Sequence, residues 1–262
     1  MKQLSYLLFV VILMNSCSTV ALTGRKQLNL VSSEEVMSLS KQSFTDYMKT
    51  AKASTNATNT AMVVRVGKNI ANAVETYLKA NGRADDVKQF AWEFHLVQDA
   101  TPNAFCMPGG KIVVNEGILP YTKDENGLAV VLGHEVAHAV ANHSSERISQ
   151  QLLINYGGVA LGALLQNKSE LTQNIASQVY GLGSQVGVVL PYSRLNENEA
   201  DHMGLVFTAM AGYDPRSAIP FWQRMQQAGA STPEFLSTHP SDATRIKKLN
   251  ELMPQALQYY KK

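Results

Sequence analysis

The sequence predicts an α+β fold, a mostly helical domain with one small β-sheet next to the helix that carries His134 and His138. Three observations predict it. Apolar residues recur at helical spacing through much of the chain, as in Val63, Val66, Ile70, Val74, Tyr77 and Leu78. One segment alternates at the strand period, with Phe90, Trp92, Phe94 and Leu96 set against Ala91, Glu93, His95 and Val97. Two short strand-like runs, 103–106 and 111–115, flank Pro108-Gly109-Gly110 just before the histidine-bearing stretch.

In chain order, Lys2 precedes an apolar run from Leu4 to Met14 that is too short to span a bilayer, the layout of a signal peptide. The run ends in Leu13-Met14-Asn15-Ser16-Cys17, a small residue directly before a cysteine, as in a bacterial lipobox. We therefore expect residues 1–16 to be a lipoprotein signal peptide. Cys17 then carries lipid, residues 17–30 form the lipidated cysteine and its tether, and 31–262 form one domain. Only two cysteines are present, so a lipidated Cys17 leaves Cys106 without a disulfide partner.

Ser32-Ser33-Glu34-Glu35 offers a capping box for a helix running to about Lys52. A polar connection, 53–59, leads to the Val63–Leu78 stripe, which Asn81-Gly82 closes. After the strand and the hairpin, Leu128, Val131, Leu132, Glu135, His138 and Ala139 share helical spacing. The region 151–190 holds two apolar, glycine-dotted runs, each shorter than the roughly 20 residues of a transmembrane helix. They read as a helical hairpin partly covering the site or as plain core helices. Asp214-Pro215 opens a helix through Gln227. Ser237-Thr238-His239-Pro240 leads to a last helix over 241–252, in which Arg245 is either paired with an acidic group or, by default, solvated.

The chain of 262 residues has a formal charge of +2, so it offers no strong basic field and no nucleic-acid partner is expected. Its chemistry concentrates in Gly133-His134-Glu135-Val136-Ala137-His138. On a helix, residues i and i+4 differ by about 40° around the axis and roughly 6 Å along it. Both imidazoles can then reach one metal ion, while Glu135 is turned by about 100° from His134 and can hold a water beside that ion. A catalytic zinc site needs a third protein ligand and an open position. Glu197 and Asp201 are again i and i+4: one can ligate and the other can accept a hydrogen bond from a ligand histidine. We expect Glu197 to be the ligand. Glu199 points to another face and reads as a solvated acid at a helix start.

The set G-H-E-V-A-H-A, Y-S-R-x-x-E-x-E-A-D and T-H-P-S-D-A-T-R-I resembles the HtpX/BepA-type zinc metallopeptidases, gluzincins related to the CAAX prenyl proteases. The upstream T-G-R-K-Q-L-N-L and N-A-F-C-M-P-G-G-K-I-V-V segments are similar to the lipoprotein branch of that family. The resemblance covers nearly all of residues 19–250. It implies a zincin-type metallopeptidase domain holding one Zn²⁺ per chain, with His134, His138 and Glu197 as metal ligands and Asp201 orienting a ligand histidine. Glu135 is then the catalytic glutamate, and His239 a histidine that approaches the metal and restrains activity. A catalytic His239 and a structural loop histidine both remain open, and His239, Arg194 and Tyr192 are the candidate oxyanion donors. Cys106 departs from the alanine of many relatives. The edge strand 103–107, beginning with Asn103, Ala104 and Phe105, is expected to bind substrate backbone by β-addition.

The expected function is that of a zinc endopeptidase of the bacterial cell envelope, lipid-anchored on the periplasmic face of the outer membrane. Its expected substrates are misfolded or unassembled envelope polypeptides, with the envelope assembly machinery as a further partner. The alternative is an envelope chaperone or assembly factor that makes little proteolytic use of the site.

Overall fold

The computed structural model describes residues 17–156, 193–227 and 243–261, with Thr172, Ile175, Phe235 and His239 besides. The expected signal peptide, 1–16, lies outside the described residues. The chain enters through a β-hairpin, in which β1 (Cys17–Thr19) pairs antiparallel with β2 (Lys26–Leu28). The tether expected over 17–30 is therefore folded onto the domain. Its turn carries two apolar side chains, Val20 and Ala21, and both are 3% exposed within the main core. Burying them against the domain is favoured over leaving them in a solvated linker.

Helix α1 (Ser33–Thr50) starts on Ser32, whose hydroxyl accepts the Glu35 N–H as the capping box predicts. Asn56 caps α2 (Ala57–Ala80), and the stripe Val63, Val66, Ile70, Val74 and Leu78 is fully buried. A short α3 (Ala84–Val87) leads to β3 (Glu93–Val97). The strand is shorter than the alternation suggests, because Phe90 and Trp92 stack on each other ahead of it, with centroids 4.5 Å apart.

The expected hairpin is formed by β4 (Ala104–Met107) and β5 (Lys111–Asn115). Gly109 and Gly110 have φ of +87° and +81°, which suits residues without a Cβ. The sheet order is β3-β5-β4, with β3 parallel to β5, so β4 lies on an edge, as expected.

A 3₁₀ turn and α4 (Leu119–Thr122) deliver the chain to α5 (Glu125–Val140), capped by Asp124. Every residue of α5 from Gly127 to Val140 is buried, so this is the central helix of the domain. Helix α6 (His143–Tyr156) follows directly, and α7 (Arg194–Met210) begins on a Ser193 cap. A 3₁₀ turn, Pro215–Ser217, opens α8 (Ala218–Gln227), and α9 (Ala243–Leu257) runs further than the expected 241–252. Of the region 151–190, only 151–156, Thr172 and Ile175 are described. Ile175 packs with Val31, Val36, Ile148 and Leu152 in a small second core. No helix among the described residues is long and apolar enough to cross a membrane.

Helices α5 and α7 meet backbone to backbone at Gly133 and Gly204. A Cβ on Gly204 would lie 2.9 Å from the His134 nitrogen and 3.0 Å from its Cα. A Cβ on Gly133 would lie 2.8 Å from the Gly204 carbonyl oxygen. Side chains cannot relieve such a clash, so the helices would have to separate. Gly204→Ala is expected to destabilise the fold by about 1–3 kcal/mol in urea unfolding, and to lower zinc bound per chain because the displaced backbone carries His134.

Candidate metal centre

His134 and His138 lie one helical turn apart on α5, and Glu197 lies in the first turn of α7, facing them across the glycine contact. His239 reaches the same point from the segment between α8 and α9. Ligand atoms of His134, His138, Glu197 and His239 all fall within 4.8 Å of one another, and all four residues are buried. His134 Nε2 is 3.1 Å from His138 Nε2 and 3.3 Å from His239 Nδ1. The Glu197 carboxylate oxygens are 3.4 Å from each α5 imidazole and 3.0 Å from His239 Nδ1. Zn²⁺ bonds of about 2.0–2.1 Å in a tetrahedron put ligand atoms about 3.3 Å apart, so this donor set fits zinc. Two α5 histidines and one carboxylate would hold the ion, and His239 lies within reach of the same point.

Asp201 lies one turn beyond Glu197, with Oδ1 3.1 Å from His134 Nδ1. A carboxylate behind a metal-facing imidazole fixes its orientation and strengthens it as a donor. Burial works against charge on His134, yet Asp201 and Glu197 outweigh it and raise its pKa. Burial pushes His138 well below its ordinary pKa, so it is neutral, the form that binds metals. Glu197 is pushed up by burial, but His239 and the two α5 histidines hold it well below the usual carboxylate range.

Glu135 stands apart from these four. Burial pushes its carboxyl up to about 7, with the negative Glu197 adding to the rise and His239 and Arg245 opposing it. Its Oε1 accepts no hydrogen bond and lies 3.4 Å from His239 Nε2. The Cys106 backbone N–H reaches the same carboxylate. That contact follows from strand register. Asn115 N–H donates to Asn103, so with Ala104 opposite Val114 the outward-facing groups of β4 belong to Ala104 and Cys106. The edge strand thus runs beside Glu135. Phe235 closes the cluster from above: its ring is 4.7 Å from that of His239, and its N–H donates to the Pro102 carbonyl at the head of β4.

Residues 65–253 match the model of Peptidase family M48. This chain belongs to that family. Among curated proteins it is 38% identical over 190 residues to the mitochondrial metalloendopeptidase OMA1 of Schizosaccharomyces pombe, a stretch covering 71% of this chain and 53% of that protein. The human mitochondrial metalloendopeptidase OMA1 is 31% identical over 262 residues, covering 96% of this chain and 48% of its own length. The beta-barrel assembly-enhancing protease of Yersinia pestis is 29% identical over 174 residues, covering 62% of this chain and 35% of that protein. The BepA-type resemblance thus extends to OMA1 proteins at higher identity. The chain spans about half the length of the OMA1 relatives or less. This M48 chain carries a zinc-type donor set in place.

The structure corrects two readings of individual residues. Arg245 on α9 is not solvated. It is 3% exposed, donates to Asp201 Oδ1 at 2.6 Å and to Glu197 at 3.2 Å, and lies 3.3 Å over the Trp222 ring. Nor is Glu199 a solvated acid: it is 6% exposed and bound to Thr23, Arg25 and His143. Burial opposes its charge, but hydrogen bonds from His143, Thr23 and Arg25 hold its carboxyl down at about 2. His143 was not singled out by sequence; its one local signal was lying five residues beyond His138. Of the candidate oxyanion donors, Arg194 is exposed at the start of α7, and Tyr192 lies outside the described residues. Cys106 is a free, buried thiol.

Removing Arg245 would leave Glu197 and Asp201 as buried carboxylates without their guanidinium. Arg245→Ala is expected to cost about 3–5 kcal/mol in denaturant unfolding and to reduce zinc per chain by elemental analysis.

Proposed function

We propose that this chain is a zinc endopeptidase of the bacterial cell envelope, anchored by lipid on Cys17 and acting on misfolded or unassembled envelope polypeptides. The observation that carries the reading is the position of Glu135. Its carboxylate is buried, poised near neutrality, beside the metal-binding cluster and under the outward-facing backbone of an edge strand. A structural zinc site needs no such base.

His134, His138 and Glu197 would hold the zinc, which would supply a Lewis acid able to make a water nucleophilic near neutral pH. Glu135 takes the proton of that water as its oxygen attacks the scissile carbonyl, then passes the proton to the leaving amine nitrogen. The outward carbonyls of Ala104 and Cys106 accept from the extended substrate backbone as it adds to the β4 edge. This substrate geometry favours a polypeptide over a small hydrolysable molecule.

The apolar run 4–14 and the small residue before Cys17 support the lipid anchor, which we place on the periplasmic face of the outer membrane. The relative named a beta-barrel assembly-enhancing protease supports a role alongside the envelope assembly machinery. A second reading, a chaperone or assembly factor that rarely cleaves, is favoured by one observation: His239 lies within reach of the point where the ion would be held. We assign His239 as a restraint on the site.

Glu135→Gln is expected to keep zinc and fold while losing peptide cleavage. Full residual cleavage would refute the mechanism, and rescue of a deletion strain by that variant would favour the chaperone. His239→Ala is expected to raise cleavage of an unfolded polypeptide several-fold; a fall would make His239 an oxyanion donor instead.

A further inference from the structure

The N-terminal hairpin lies outside the family match and far in sequence from the candidate ligands, yet it ends in their network. Its turn is closed by hydrogen bonds from Val20 N–H to the Arg25 carbonyl, 2.8 Å, and from Gly24 N–H to the Val20 carbonyl, 3.1 Å. The turn aims the Arg25 guanidinium inward, where it divides between two carboxylates on different helices. Nε donates to Glu199 Oε2 on α7 at 2.7 Å. Nη1 and Nη2 grip both oxygens of Glu146 on α6, each at 2.8 Å. Asn196, the neighbour of Glu197, donates to the same Glu146 at 2.8 Å. Thr23, two residues before Arg25, hydrogen-bonds the other oxygen of Glu199.

Glu199 passes this anchoring on. Its Oε2 is 3.0 Å from His143 Nε2, and His143 Nδ1 is 2.8 Å from His138 Nδ1. Proton bookkeeping along the chain has one solution for a neutral His143. A carboxylate only accepts, so His143 carries its hydrogen on Nε2 and donates to Glu199. Its Nδ1 is then a bare lone pair that accepts from Nδ1–H of His138. That leaves the Nε2 lone pair of His138 facing His134 and Glu197, as ligation requires.

We propose that Arg25 is a positioning residue of the metal centre, acting through Glu199 and His143 to set the ring orientation and tautomer of His138. Asp201 does for His134 what the Arg25–Glu199–His143 chain does for His138, so each α5 imidazole has its own carboxylate anchor. The hairpin is thereby part of the working domain. Losing Arg25 removes the fork that points Glu199 at His143 and that ties α6 to α7.

The inference rests on the zinc reading of the site and is tested on the full chain. Long-range ¹H–¹⁵N spectra of the zinc-loaded parent should show His143 protonated on Nε2 and bare on Nδ1, with His138 protonated on Nδ1. A hydrogen on Nδ1 of His143 would overturn the proposal without any variant. In competition with a chromophoric chelator, Arg25→Gln should bind zinc about 10- to 100-fold more weakly than the parent, the range for lost outer partners of a ligand histidine. Its His138 and His143 signals should lose the parent tautomers. Val20→Ala, which loosens the hairpin core without touching the network, should bind zinc like the parent. Zinc affinity within twofold of the parent in a folded Arg25→Gln protein, or an equal loss in Val20→Ala, would overturn the proposal. A parent that takes up no zinc would instead refute the metal-centre reading itself.

Discussion

The site depends on one contact, the meeting of α5 and α7 at Gly133 and Gly204. Helices normally pack with axes about 8–10 Å apart, held off by their side chains. Here glycine faces glycine, and a Cβ on Gly204 would meet the His134 backbone at 2.9–3.0 Å. That approach lets short side chains from two helices converge. His134 and His138 supply two donors from one face of α5, and Glu197 supplies the third across the gap. The same closeness sets Asp201 against the back of His134.

Bringing so many polar groups together in a buried place is unfavourable unless each is compensated. The compensation comes from outside the two helices. On one side Arg245 of α9 bridges Glu197 and Asp201 and stacks on Trp222. On the other, Arg25 of the N-terminal hairpin bridges Glu199 and Glu146. The two ends of the described chain thus brace the middle. Glu135 accepts from no guanidinium among the described residues, and burial pushes its carboxyl up to about 7.

One imidazole joins the two halves of the site. His239 presents Nδ1 to the ligand cluster and Nε2 to Glu135, so one ring touches both the metal-binding and the proton-transfer groups. Phe235 links that ring to the head of the edge strand through Pro102.

Local pattern made much of this legible in the sequence. His134, Glu135 and His138 are read from helical spacing, Glu197 and Asp201 from the same spacing repeated, and the β4–β5 hairpin from alternation around Pro108-Gly109-Gly110. The buried stripe of α2 and the Ser32 cap are equally local. Arg25, His143, Glu199 and Arg245 were not legible as site residues, and the hairpin was read as a tether. A charged side chain carries no mark of its partner when that partner is 174 residues away, as for Arg25 and Glu199. The sequence by itself determined which residues each helix brings to the site, because His134, Glu135 and His138, like Glu197 and Asp201, are spaced within one helix. Only the tertiary structure decided which charges are buried against them and that His239 joins the cluster, because those contacts exist only once distant segments pack.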